Sequence, residues 1–301
     1  MEVHQPTRLD EALEIKRAHP LARPIQGGTD LMVELNFERT RPVAIIDLSR
    51  VAELCEWAVE DGLLRIGAGV TYTRLIAELG RRLPGLAMAC RTVGSPQIRN
   101  RGTVGGNLGT ASPAGDALPP LYAAGAEVEL ASQRGVRTLP VADFITGPKR
   151  NALAPDELIA AFRVAPAPGP QQFAKVGTRN AMVIAVCSLA LELDPEMQAV
   201  RVCIGSAGPM PMRAAQAERF ICESLAEADL WQAPKRRLPT ALMRGFGELI
   251  ADAARPIDDV RGTADYRRHA LRVLGERALG WAWEQYLEEG AISSAKERGT
   301  V

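Results

Sequence analysis

What the chain lacks narrows its function first. Its 301 residues carry 36 basic and 36 acidic side chains, so the formal net charge is zero. That balance gives no support to the basic footprint of a nucleic-acid binder or to a polybasic membrane surface. No apolar run is long enough to span a bilayer. The N-terminal stretch MEVHQPTRLDEALEIKR carries acids and has no apolar signal core, so a cytoplasmic location is expected. The five cysteines, Cys55, Cys90, Cys187, Cys203 and Cys222, form no CxxC pair. Buried free thiols are therefore expected, and no metal ligand or iron–sulfur cluster held by this chain alone. The three histidines, His4, His19 and His269, are far apart in sequence, and there is no HExxH. Neither these nor the acids suggest a nucleophile–base constellation. The dinucleotide fingerprint GxGxxG and the Walker A loop are both missing, as are internal repeats and low-complexity tracts.

What is present centres on residues 91–121, RTVGSPQIRNRGTVGGNLGTASPAGDALPPL. This stretch holds six glycines and one acid, Asp116, between strongly apolar neighbours. Glycine lets backbone N–H groups approach an anion closely, so a loop of this composition on a rigid scaffold points to a large phosphorylated ligand. A second, smaller turn stands at Ile25-Gln26-Gly27-Gly28-Thr29-Asp30-Leu31. Thr29-Asp30 can cap a short helix from Leu31 to about Leu35, and the glycine pair can aim amides at an anion.

Around these loops the first half reads as a mixed α/β domain. A helix is expected over Thr7–Arg17, and strands over Val43–Leu48, Glu56–Val59 and Leu63–Ile66. Another helix is expected over Tyr72–Leu83, ended by Pro84-Gly85. Strands follow at Ala126–Leu130, Val136–Val141 and Leu158–Val164, with an exposed loop at Phe144–Arg150. The run Pro166-Ala167-Pro168-Gly169-Pro170 marks a boundary. Beyond it, Phe173–Leu193 reads as one long strand or a buried helix from Ala181. Val200–Ile204 reads as its antiparallel neighbour, with helices over Arg213–Leu225, Thr240–Ala253 and Ala264–Leu287. The domain division is thus 1–170, with parts at about 1–60 and 61–170, then 171–285, then a tail at 286–301. Two glycine–threonine loops without a catalytic cluster describe a holder for a cofactor that brings its own chemistry.

Several segments carry a specific resemblance. QGGTDLM at 26–32, SPQIRNRGTVGGNLGTASPAGDALP at 95–119, DFITGPKRNALAPDELI at 143–159, KVGTR at 175–179 and RGTADYRRHALRVLGERAL at 261–279 occur in order along nearly the whole chain. In these the sequence resembles the FAD-binding, or medium, subunit of the molybdenum hydroxylases, the xanthine dehydrogenase and carbon monoxide dehydrogenase family. The resemblance implies an α+β fold. It would comprise a two-part FAD-binding domain of the vanillyl-alcohol-oxidase or p-cresol-methylhydroxylase type, then an α+β C-terminal domain with a small antiparallel sheet. It implies that Ile25, Gln26, Gly27, Gly28, Thr29, Asp30 and Leu31 wrap the pyrophosphate. Thr103, Gly106, Asn107 and Thr110 would face the cofactor, and Ser112 and Asp116 would hold its adenosine half. Leu158 would pack near the ring system, and Lys175 would place a cation near the flavin, where it favours the negative charge of the reduced form. Gln26 departs from the small residue common in relatives, and Asn180 stands where many carry an aspartate nearby.

The FAD is expected to be non-covalent, because the central motif has no His, Cys or Tyr to attach it. Molybdopterin and [2Fe-2S] clusters are expected on partners only: a large molybdenum-cofactor subunit and a small iron–sulfur subunit, assembled as a duplicated heterotrimer. In that role the chain passes electrons from the iron–sulfur partner to an external acceptor. The alternative is a stand-alone FAD-dependent oxidase or dehydrogenase acting directly on an organic substrate, with the second domain as its cap.

Overall fold

Three short strands near the start of the chain build a small parallel sheet around one apolar strand. In the computed structural model, which describes residues 1–231 and 237–298 and the side chains as far as 289, β1 (Glu2–His4) leads into helix α1 (Leu9–Ala18), and β2 (Arg23–Ile25) into the short helix α2 (Leu31–Asn36). Strand β3 (Ala44–Asp47) lies between β1 and β2, parallel to both. Its Ala44, Ile45 and Ile46 are all buried, as expected for a parallel strand covered on both faces. Ala12 and Leu13 of α1 pack on it. Asp30 is the first residue of α2's cap, but its side chain makes no capping bond. The chain then passes through a 3-10 turn, Ala52–Cys55, to a second sheet.

That sheet is five-stranded and wholly antiparallel. It begins with β4 (Trp57–Glu60) and β5 (Leu63–Gly67). The change of sheet thus falls before residue 57. Helix α3 (Tyr72–Leu79) follows, N-capped by the Thr71 hydroxyl, which accepts from the Arg74 amide at 3.3 Å. Pro84 does not merely end this helix. It opens another, α4 (Pro84–Arg91), at a position where its missing N–H costs nothing. The glycine-rich stretch is likewise less irregular than its composition suggests. It folds as α5 (Pro96–Arg99), capped by Ser95, α6 (Val104–Thr110), capped by Thr103, and α7 (Leu118–Ala123). Strands β6 (Glu127–Ser132) and β7 (Gly135–Pro140) form a hairpin, and α8 (Val141–Phe144) leads to the small hairpin of β8 (Ile145–Gly147) and β9 (Arg150–Asn151). This corrects the exposed loop expected at 144–150, since Phe144, Ile145 and Gly147 are buried. Strand β10 (Leu158–Val164) closes the sheet by inserting between β5 and β6, giving the order β4-β5-β10-β6-β7.

The segment 173–193 is neither one strand nor a helix. It is a hairpin of β11 (Gln171–Val176) and β12 (Cys187–Asp194). Strands β13 (Ala199–Gly205) and β14 (Met212–Arg213) complete a four-stranded antiparallel sheet. Helices α9 (Ala215–Glu227), α10 (Thr240–Ala253) and α11 (Ala264–Arg298) cover it, and α11 continues through most of the stretch expected as a tail. Every residue of β12 is buried, including Glu192 and Asp194, whose carboxylates meet Arg201 at 2.8 and 3.5 Å. Ala131, Leu158 and Ala160 of the second sheet share a core with Ile46 and Leu54 of the first part. Phe173, Ala190 and Cys203 of the third sheet share another with the second. The interdigitation fixes the walls between which the site lies.

Candidate functional site

A cleft of about 740 Å³ opens between the first parallel sheet and the helices of the glycine-rich stretch. One wall is the turn after β2. Gly28 has φ +75°, which only glycine adopts without cost, and a Cβ on Gly27 would overlap the Arg101 carbonyl. The turn therefore seats directly on the backbone of residues 101–102. Among the described residues, the amides of Gly27, Gly28, Thr29 and Asp30 donate to no other group of the chain. Asp30 instead accepts the Thr110 hydroxyl across the cleft at 3.3 Å, which replaces the helix-capping role its position suggested.

The facing wall is α6. Thr103 caps it, accepting the Gly106 amide at 2.8 Å. Gly105 and Gly106 differ in their surroundings. A Cβ on Gly105 would collide with the backbone and side chain of Ala68, whereas one on Gly106 would meet only the Thr103 hydroxyl, at 3.2 Å. Gly105 thus serves helix packing, and Gly106 faces the cleft. Asn107 sits inside the helix, and its Oδ1 accepts the Ala117 amide at 3.2 Å, tying α6 to the turn that carries Asp116. The left-handed conformation is taken instead by Ala111, which ends α6 with φ 48°.

Asp116 and Lys175 form the most buried ion pair of the cleft region. Lys175 Nζ donates to Asp116 Oδ2 at 2.6 Å and to the carbonyls of Thr92 and Val183, both at 3.1 Å. Lys175 does not line the cleft; it stands behind Asp116, which does. Burial pushes the Asp116 carboxyl above the usual aspartate range, and the Lys175 ammonium offsets only part of that rise. Asp116 Oδ1 is buried without a partner among the described residues, and so is Gln26 Oε1. The Gln26 amide nitrogen lies 4.0 Å from Cys55 Sγ and against Gly69, so the side chain folds down beside the β5–α3 turn.

All the residues singled out in the sequence except Lys175 line this cleft: Ile25 through Leu31, Thr103, Gly106, Asn107, Thr110, Ser112, Asp116 and Leu158. Sequence reasoning missed Tyr72 of α3, Lys149 and Asn151 of the β8–β9 hairpin, and Met182, Val183 and Ile184 in the β11–β12 turn. Lys149 closes one rim: its Nζ donates to Glu34 Oε1 at 2.6 Å, and that hydrogen bond is the main cause holding the Glu34 carboxyl below its ordinary range. The five cysteines are all unpaired, and burial pushes every thiol upward, Cys187 to about 12, so none is poised as a thiolate.

Free amides, unpartnered buried oxygens that accept, and a glycine with room before it form a cradle for a ligand with phosphates and hydroxyls. Comparison with known proteins agrees. Residues 1–167 match the FAD binding domain in molybdopterin dehydrogenase, and residues 172–282 match the CO dehydrogenase flavoprotein C-terminal domain.

The chain belongs to that molybdopterin dehydrogenase family.

It is 30% identical over 289 residues to the putative xanthine dehydrogenase FAD-binding subunit of Escherichia coli K12, covering 93% of this chain and 94% of that one. It is 33% identical over 237 residues to the nicotinate dehydrogenase FAD-subunit of Eubacterium barkeri, covering 73% and 79%. Among solved structures, carbon monoxide dehydrogenase from Hydrogenophaga pseudoflava superposes with a TM-score of 0.83 at 26% identity, over 95% of this chain and 98% of that one. Quinoline 2-oxidoreductase from Pseudomonas putida 86 superposes with a TM-score of 0.86 at 24% identity over the same shares, a likeness of fold. The chain is therefore a flavoprotein oxidoreductase component, the FAD-binding subunit of a multisubunit molybdenum hydroxylase or dehydrogenase. No helix among the described residues is long and apolar enough to cross a membrane.

Proposed function

We propose that this chain binds FAD non-covalently in the cleft and relays electrons from a small iron–sulfur subunit to an external acceptor, while a large molybdenum-cofactor subunit acts on the substrate. Bound FAD would supply the redox chemistry, accepting electrons on one side and releasing them on the other. The observation that carries the reading is the row of unpartnered amides from Gly27 to Asp30 facing Gly106 across the cleft. Those amides and the Thr29 hydroxyl are assigned to the pyrophosphate, because two adjacent negative groups need several converging donors. Asp116 Oδ1 is assigned to ribose hydroxyls, with Ser112 beside it, since a buried acceptor without a donor is costly until one is supplied.

Lys175 is assigned a positioning role: it keeps Asp116 ionised and aimed. Thr103 and Thr110 hydroxyls and Asn107 shape the inner face, and Leu158 packs toward the ring end together with the β11–β12 turn. The functional division follows the split near residue 170, the first domain holding the cofactor and the second bracing Asp116 through Lys175. The duplicated heterotrimer and the cytoplasmic location belong to the same proposal. Stopped-flow reduction tests it. The organic substrate of the assembled enzyme should bleach the flavin only when the other two subunits are present. Equal bleaching of the isolated chain would overturn the relay in favour of direct substrate oxidation here.

A further inference from the structure

Away from the cleft, the fold joins groups that the sequence keeps apart. Glu2 and His4 lie two residues apart on the edge strand β1, and so project from one face. His19 ends α1, with its amide bonded to the Ile15 carbonyl at 2.8 Å and its own carbonyl accepting the Ala22 amide at 2.9 Å. The two imidazole rings stand 4.8 Å apart, centroid to centroid, tilted by 36°. His4 Nε2 is buried, has no hydrogen-bond partner among the described residues, and lies 3.4 Å from a Glu2 carboxylate oxygen. One ligand atom from each of Glu2, His4 and His19 lies within 4.8 Å of the other two.

We propose that Glu2, His4 and His19 bind one divalent transition-metal ion of the zinc type. Two imidazoles and a carboxylate suit zinc, cobalt or nickel, whereas magnesium and calcium favour oxygen donors throughout. Zinc–nitrogen bonds are about 2.0–2.1 Å long, so ligand atoms around a tetrahedral ion stand about 3.3 Å apart. His4 is held by the pairing of β1 with β3, His4 opposite Ile46. Glu2 and His19 are exposed, so their side chains are free to close on the ion. Water fills the remaining position. The ion would clip the first strand to the end of α1, just before the chain enters β2 and the glycine turn. Its role is to fasten this corner, since nothing places it in contact with the cleft.

The test uses the tag-free 301-residue chain, stripped with a chelator and titrated with zinc chloride against a chromophoric competitor. One equivalent should bind. His4→Ala and His19→Ala should each weaken binding at least about tenfold, a factor well outside titration error. His269→Ala, at an exposed position on α11, should bind like the parent. Cobalt should give visible ligand-field bands that disappear in His19→Ala, whose surface position spares the fold even if His4→Ala is unstable. FAD content should be the same in the parent and in His19→Ala, which separates this site from the cofactor cleft. Absence of stoichiometric zinc binding, or binding unchanged in folded His19→Ala, would overturn the proposal and leave the cluster as an imidazole pair beside a carboxylate.

Discussion

Lys175 Nζ and Asp116 Oδ2 lie 2.6 Å apart, with both side chains about nine-tenths buried, although the residues are 59 positions apart and belong to different sheets' surroundings. The pair joins the third sheet to the cleft. Removing one partner leaves an uncompensated buried charge, which typically costs about 3–5 kcal/mol. Lys175→Met should therefore lower stability by roughly that amount in urea titrations, and Asp116→Asn combined with it should restore much of the loss. If the double variant is no more stable than Lys175→Met, the pair is not what the lysine supports.

The same pair makes stability depend on pH. An unfolded aspartate ionises near about 3.9, whereas burial keeps the proton on Asp116 to a higher pH in the fold. The fold thus binds the extra proton. Its contribution to stability is complete below the unfolded value and is lost as pH rises through the raised folded value, then stays constant. Burial raises the Glu192 carboxyl as well, so the reading is a difference. In FAD-free protein the stability of the parent relative to Asp116→Asn should fall as pH rises past about 4, and a difference that does not change with pH would refute it.

The two adjacent glycines of α6 should separate folding from binding. Gly105→Ala drives a methyl into Ala68 and should cost about 1–3 kcal/mol of stability. Gly106→Ala meets only a hydroxyl, and alanine favours helix by up to about 1 kcal/mol, so the fold should hold or gain. Its flavin content should nonetheless fall. Full occupancy in Gly106→Ala would remove the cofactor from this wall of the cleft.

Glu34 and Lys149 are expected to slow cofactor loss by bridging the rim. An ion pair with one exposed partner contributes up to about 1 kcal/mol, so Lys149→Met should speed FAD release about two- to fivefold, read from the rise in flavin fluorescence. The Glu34 carboxyl is held below its ordinary range. The bridge should thus persist in mild acid and be lost only as pH falls through that lowered value, an acceleration missing from Lys149→Met.

Much of the site was legible because its chemistry is local. Gly27-Gly28 and the 102–110 run are contiguous, and their turn and cap residues act on their own neighbours. What stayed hidden was set by distant partners. Pro84 reads equally as a stop or as a first helical residue, and packing of Leu86, Ala87 and Cys90 chose the second. In the β11–β12 turn, apolar Met182, Val183 and Ile184 suit a continuous strand or a buried helix equally, yet Met182 and Ile184 are exposed at the cleft edge. Lys175 carried a recognisable motif, but only the tertiary fold shows that it faces Asp116 from behind and not the cleft itself. His4 and His19 meet only because β1 and the end of α1 flank the same sheet.

The position of β10 sets an order for biosynthesis. This strand is the last of its sheet in sequence and one of its inner strands in space, between β5 and β6. Until residues 158–164 are made, β5 and β6 each present an unpaired edge, the kind of surface that recruits other chains. Hydrophobic collapse of α3, α4 and α7 can precede it, but the walls of the cleft cannot be fixed before it arrives, because Leu158 and Ile159 are part of them. Long-range closure of this sort slows folding. A nascent chain halted before residue 158 should accordingly be the species most dependent on chaperones and the one unable to capture cofactor.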